Sequence, residues 1–243
     1  MLDDATFHEL TLQYTQPRTV FGLAAVLACT TAGAQSVEPA NALEIGYAYI
    51  GFNTKSGDLA GPTGTTPAGV QAKVKDTSTV AVVYDRTISG PWSAVLQVGT
   101  PPVIKLNGAG TAAALGQVGS ARAWFPALLA QYTYSGWSSV RPYVGAGVNH
   151  TSYSSARITP AYTGAFGGTS SSAELKSSWG YVFKVGAGIP LGPNWIVDGA
   201  YSRYGIRTDA TITTATTGVG NIPRTLTLKA DPGVWGVTLG YRF

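Results

Sequence analysis

Two side chains in this sequence have the types and spacing of a hydrolytic pair. His150 and Ser152 stand two residues apart in His150-Thr151-Ser152. On an extended strand that spacing puts both on one face, where an imidazole could deprotonate the hydroxyl. Such a pair needs a carboxylate to orient the imidazole, and none follows on a neighbouring run at a suitable place. Little other chemistry is on offer. The chain has two histidines, and His8 lies in the leader described below, so His150 stands alone in the remainder. The single cysteine, Cys29, also lies in that leader. The mature chain therefore has no thiolate, no disulfide and no His/Cys metal cluster, and no cofactor is expected. No GxxxxGK[ST] occurs, and no nucleotide-binding GxGxxG opens a helix after a strand; Gly145-Ala146-Gly147 lies inside a strand.

The elements that position these residues are strands. Charged residues make up 12% of the 243, about half of the roughly 25% usual in soluble domains. Glycine is abundant at 31 residues, and aromatics reach 11%, led by 13 Tyr and 6 Trp. The net charge of +4 is scattered, which excludes a Lys/Arg-rich nucleic-acid surface. No run of about 20 apolar residues is present, which excludes a helical membrane span. The last ten residues alternate instead. Trp235, Val237, Leu239, Tyr241 and Phe243 share one face; Val234, Gly236, Thr238, Gly240 and Arg242 share the other. This is the pattern of a strand with lipid on one side.

Val20 to Ala34 follows Arg18, is apolar, and ends in Ala32-Gly33-Ala34. It is expected to be a secretory signal peptide cleaved near Gln35. Val26-Leu27-Ala28-Cys29 resembles a lipoprotein box only weakly. Asp3, Asp4 and Glu9 stand where positive charge is expected, so residues 1–17 read as a start placed too far upstream. Residues 1–34 are thus a leader and residues 35–243 one barrel domain.

Eight apolar-periodic runs follow: Leu43 to Phe52, Ser78 to Arg86, Trp92 to Val98, Ser120 to Tyr134, Pro142 to Tyr153, Ser177 to Ile189, Trp195 to Ile206, and Leu226 or Val234 to Phe243. Connections after the second, fourth and sixth are short, and those after the odd runs are long and rich in Gly, Thr, Ser and Pro. An even strand number with this asymmetry predicts an all-β, eight-stranded antiparallel transmembrane β-barrel of the outer membrane, long loops outside.

The sixth run fixes the faces. Trp179, Tyr181, Phe183, Val185, Ala187 and Ile189 alternate with Gly180, Val182, Lys184, Gly186 and Gly188. A cation facing lipid costs roughly 2–4 kcal/mol at the midplane, so Lys184 points inward and the aromatic set outward. Tyr47, Tyr49, Tyr84, Trp92, Tyr132, Tyr134, Trp179, Trp195 and Trp235 join that outward set, several at strand ends where an aromatic girdle belongs. The same parity sends Glu44, Asp85, Asp198 and Arg242 inward with Lys184. In a narrow lumen these charges are expected to pair, Arg242 with Glu44 or another acid. They either lock the barrel or plug it against a water channel.

Several blocks resemble the OmpW/AlkL family of outer-membrane barrels. They are Gly99-Thr100-Pro101-Pro102 with Leu115-Gly116-Gln117-Val118-Gly119; Pro126-Ala127-Leu128-Leu129-Ala130-Gln131-Tyr132; Arg141-Pro142-Tyr143-Val144-Gly145-Ala146-Gly147-Val148-Asn149; Leu175-Lys176-Ser177-Ser178-Trp179-Gly180; Asp231-Pro232; and Gly240-Tyr241-Arg242-Phe243. The likeness runs in order from Leu43 to Phe243. It implies passive uptake of small hydrophobic molecules past the lipopolysaccharide layer, with sideways release into the bilayer. Pro126 cannot donate to a strand ladder, so it either weakens the wall there or marks a tolerated bulge. Tyr241 and Phe243 are implied as the signal read by the barrel assembly machinery. The family narrows its passage with bulky apolar groups, whereas the comparable positions here are the polar Gln97 and Ser202. Val95, Leu129, Val182, Ile196, Ala200 and Tyr204 keep the inward surface partly apolar, so slightly polar aromatics or esters are conceivable solutes.

The partners expected are outer-membrane lipid, lipopolysaccharide and small apolar solutes. The long loops carry Lys55, Lys73, Lys75, Lys105, Arg157, Lys176, Arg207, Arg224 and Lys229 against Asp58, Asp76, Glu174, Asp209 and Asp231. That excess suits either lipopolysaccharide phosphates or a solvated loop face. Two other readings stay open: a non-transporting structural or receptor barrel, and a lipid A deacylase-type barrel, whose His and Ser stand two apart on a strand. No catalytic residue is assigned.

Overall fold

The computed structural model describes residues 40–243. The expected leader, with His8 and Cys29, lies outside them. The strands are β1 (Asn41–Gly51), β2 (Lys55–Ser56), β3 (Val70–Val74), β4 (Thr77–Ser89), β5 (Trp92–Gly99), β6 (Val103–Gly110), β7 (Gln117–Trp124) and β8 (Ala127–Thr133). Then come β9 (Arg141–Ile158), the short helix α1 (Pro160–Ala165), β10 (Ser170–Leu175), β11 (Ser178–Pro190), β12 (Trp195–Tyr204), β13 (Arg207–Thr216), β14 (Gly220–Lys229) and β15 (Gly233–Arg242).

Eight of the strands close a barrel in the order β1-β4-β5-β8-β9-β11-β12-β15, each antiparallel to the next, with β15 returning to β1. Closure leaves no open edge in this wall. At the short-turn end, Asn41 and Phe243 exchange both backbone hydrogen bonds, 3.1 and 2.9 Å. Two residues, Gly90 and Pro91, join β4 to β5; Gly90 takes a φ of 53°, which glycine adopts without strain. Inside the barrel, chains approach closely: a Cβ on Gly147 would run into the Leu128 carbonyl.

Face alternation follows the predicted parity. Trp179 is 74% exposed, whereas Val182 is fully buried and Lys184 is 5% exposed. Exposed Leu43, Ile45, Leu128, Val144, Val148, Phe183, Val185, Val237 and Leu239 form an outward apolar band. Aromatic pairs flank it, among them Trp92–Tyr132, Trp195–Tyr241 and Tyr201–Trp235. An apolar surface this extensive and continuous has lipid as its solvent.

Two expectations change. The fourth predicted run is two strands, β7 and β8, broken at Phe125-Pro126, and only β8 belongs to the barrel. The long connections are not loops but two further sheets. One extends the wall above β9 through β7, β6 and β3; the other pairs β10-β13-β14-β2. Leu226 belongs to that second sheet, so the eighth barrel strand starts at Gly233. Strand β9 spans both regions, with Ser155 at a φ of 53° beside the register shift of β7, a bulge that bends the strand. Thr159 caps α1 by accepting from Tyr162 N, with Pro160 in the first turn.

Candidate functional site

The interior has three layers. The one nearest the long connections is an apolar chamber of about 80 Å³ between the two added sheets. Ile104 and Leu106 of β6, Ala121 and Ala123 of β7, Leu175 of β10, Ile212 of β13 and Leu228 of β14 wall it; Phe52, Phe125 and Ile206 lie on its barrel side. Away from the barrel it adjoins a cluster containing Leu59, Val70, Tyr162 and Leu226. Arg224 is buried there. It donates to Thr66 Oγ1 and Thr214 Oγ1, both at 3.1 Å, and to the Thr65 carbonyl at 2.9 Å, with its guanidinium 4.4 Å from the Phe166 ring centre. This corrects the placing of Arg224 on the outer charged face: it ties the 61–66 segment to β14.

The middle layer is packed side chains. Ile50, Val95 and Val182 have no exposure, and Leu129, Ser202 and Tyr204 have 1–2%. Gln97 enters from β5 and donates through Nε2 to Tyr204 Oη at 2.9 Å. The Tyr204 ring meets Phe125 edge-on, 5.7 Å between centres. Six of the seven residues expected to line the lumen, Val95, Gln97, Leu129, Val182, Ser202 and Tyr204, come together here. The seventh, Ile196, lies lower.

The lowest layer surrounds a polar cavity of about 160 Å³ at the short-turn end, lined by Glu44, Asp85, Asp198, Arg141, Arg242 and Ile196 among others. Neutral donors reach each of its three carboxylates. Thr238 donates to Glu44, Gln131 Nε2 to Asp85 at 3.1 Å, and Tyr143 Oη to Asp198 at 2.7 Å. Lys184 does not form the direct ion pair expected of it among the described residues; its ammonium stands 4.9 Å from the centre of the Tyr143 ring. Arg242 donates to the Gly192 and Pro193 carbonyls, at 3.3 and 3.0 Å, and so braces the β11–β12 turn. Sequence reasoning missed Arg141, Tyr143, Gln131 and Thr238 as members of this base, although each sits on the inward parity of its strand.

His150 and Ser152 do share the outward face of β9. Across the ladder His150 meets Trp179, and Ser152 meets Trp124. The imidazole packs on the Trp179 ring at 4.8 Å, and neither cross-strand partner is an acid. Tyr241 and Phe243 lie exposed at the short-turn rim.

The wall has a seam beside the chamber. Pairing of β5 with β8 stops at Gln97↔Ala127, and the next bond across runs from Ala123 N to Pro102 O at 3.3 Å. Residues 98–101 and 124–126 face each other without a ladder between them. At the same height His150 N donates to Pro126 O at 3.1 Å, and proline cannot return the bond.

The OmpW family model matches residues 43–243. The outer membrane protein AlkL of Ectopseudomonas oleovorans is 27% identical over 197 residues, 80% of this chain and 77% of that protein. Outer membrane protein W of Vibrio cholerae is 29% identical over 140 residues, 55% of this chain and 58% of the relative. The crystal structure of OprG from Pseudomonas aeruginosa superposes with a TM-score of 0.74 at 24% identity, covering 85% of this chain and 97% of that one. The AlkL structure in lipid bilayers gives 0.60 at 18%, covering 88% and 95%. At these identities the superpositions speak for a common fold.

Proposed function

The chain belongs to the OmpW family of outer-membrane β-barrels, and from that premise we propose that it is a passive channel admitting small hydrophobic molecules through the outer membrane of a Gram-negative cell. The observation that carries this reading is the apolar chamber, cut off by a packed layer from a polar, charged base. An apolar solute gains by entering the first and loses by entering the second. Its exit is therefore sideways, through the seam between residues 98–101 and 124–126, where Phe125 borders both chamber and gap. A relative 29% identical over 147 residues, 58% of this chain and 63% of its own, is named as a dibenzothiophene metabolism operon protein, which favours aromatic solutes among those transported.

The base acts as a plug that blocks water and ions. Lys73, Lys105, Arg122 and Arg157 stand exposed on the wall extended above β9, with Lys105 and Arg157 both opposite Ser120. They would meet lipopolysaccharide phosphates through charge-assisted hydrogen bonds. Tyr241 and Phe243 would engage the assembly machinery. The His150–Ser152 pair has no catalytic part in this reading.

Phospholipid alone is permeable to apolar solutes, so the test needs an intact lipopolysaccharide leaflet. Gram-negative cells making the barrel should take up labelled toluene and octane faster than cells lacking it, with glucose uptake unchanged. Equal rates for every solute would leave a structural or receptor barrel.

A further inference from the structure

We infer that Gln97 and Tyr204 form a recognition point for one hydroxyl group, so that the favoured solutes are apolar molecules carrying a single alcohol or phenol. This rests on the uptake reading and narrows its solute class.

The pair sits in apolar surroundings. Val83 and Ala127 flank Gln97 on the neighbouring strands, and Val182 faces Tyr204 across the ladder. Tyr204 is 1% exposed. One bond joins the two groups, Gln97 Nε2 to Tyr204 Oη at 2.9 Å. The buried Gln97 Oε1 has no partner, and the Tyr204 hydroxyl donates to no acceptor among the described residues. One acceptor and one donor are thus unspent, side by side. Turning the amide over makes Tyr204 the donor, and leaves the Gln97 amide hydrogens and a Tyr204 lone pair unspent. Either arrangement is the complement of an O–H group, which gives one hydrogen bond and takes another.

Nearby Asn149 shows the contrast. With its amide turned, it reaches the Gly180 and Tyr181 carbonyls at 3.3 Å and accepts from Thr151 at 2.9 Å. Asn149 is spent on the wall; Gln97 and Tyr204 are not. Neither residue lines the chamber itself, but Phe125, which does, rests edge-on against Tyr204. A solute that turns Phe125 aside meets both polar atoms. A hydrocarbon of the same shape satisfies neither and so lacks the gain of those hydrogen bonds.

The test uses the whole barrel in lipid nanodiscs, with naphthalene, 1-methoxynaphthalene and 1-naphthol as probes and protein-free nanodiscs subtracted. The unaltered protein should bind 1-naphthol about tenfold more tightly than naphthalene, with the methoxy compound, which only accepts, between them. Gln97→Met and Tyr204→Phe each leave one of the two polar partners, so each should lower the preference for 1-naphthol, and the double variant should bring 1-naphthol down to the naphthalene level; naphthalene binding should stay unchanged throughout. Equal affinity for naphthalene and 1-naphthol in the unaltered protein overturns the inference without touching the uptake reading. So do variants that weaken both equally. Binding of none of the three overturns both.

Discussion

Tyr143 and Asp198 are joined at the base of the barrel by a 2.7 Å hydrogen bond, phenol to carboxylate, and Lys184 stands over the same phenol ring. One aromatic side chain thus satisfies an acid and faces a cation, without a direct contact between the two charges. Tyr143→Phe keeps the ring and removes the donor. The variant should lose about 1–3 kcal/mol of stability, the usual cost of stranding a buried polar group. The temperature at which the folded band converts to the unfolded one on a gel should fall. An unchanged temperature would mean that Asp198 is held by other groups.

Phe243 has two separable properties. Its backbone exchanges two hydrogen bonds with Asn41 and so closes the last rung of the barrel; its ring lies exposed at the rim. Phe243→Ala keeps the rung and removes the ring. If assembly reads the ring, this variant should lower the inserted barrel several-fold while leaving uptake per inserted molecule unchanged. Normal levels of inserted protein would show that the ring is not read.

Pro126→Ala supplies the missing N–H opposite His150. The added rung should tighten the wall beside the seam and slow solute exit about fivefold, the equivalent of one net hydrogen bond of about 1 kcal/mol. Toluene uptake at matched barrel levels measures this, and an unaltered rate would count against exit near Pro126.

His150→Phe should preserve the packing on Trp179 and leave uptake intact. Lipid A and phospholipid acyl composition should be identical in cells making either protein. Acyl release that depends on His150 would instead make the barrel a hydrolase.

The barrel was legible because lipid and lumen impose opposite demands on alternate residues. Trp179, Tyr181 and Phe183 could not be mistaken for the partners of Gly180 and Lys184. Strand β13 of the added sheets was not legible, because its inward face is mostly small and polar groups. It buries Thr208, Ala210, Ile212 and Thr214, a pattern that composition alone assigns to a loop. Arg224 misled for a related reason. Its position between Ile222 and Leu226 on one face of β14 pointed inward, but a charge argued for the outside, and only the cluster of Thr65, Thr66, Thr214 and Phe166 explains its burial. The polar base fell between these cases: parity places Tyr143 and Gln131 inward, yet neither carries a charge to draw attention to the pairing with Asp198 and Asp85.

Toluene uptake in cells carrying either of two variants tests the proposed route most directly. Ala123→Phe fills the apolar chamber, and Glu44→Gln removes a charge from the base. At equal amounts of folded barrel, the first should abolish the accelerated uptake and the second should leave it unchanged. Persistent uptake with the chamber filled, or uptake that depends on Glu44, would contradict a route that enters the chamber and leaves through the wall.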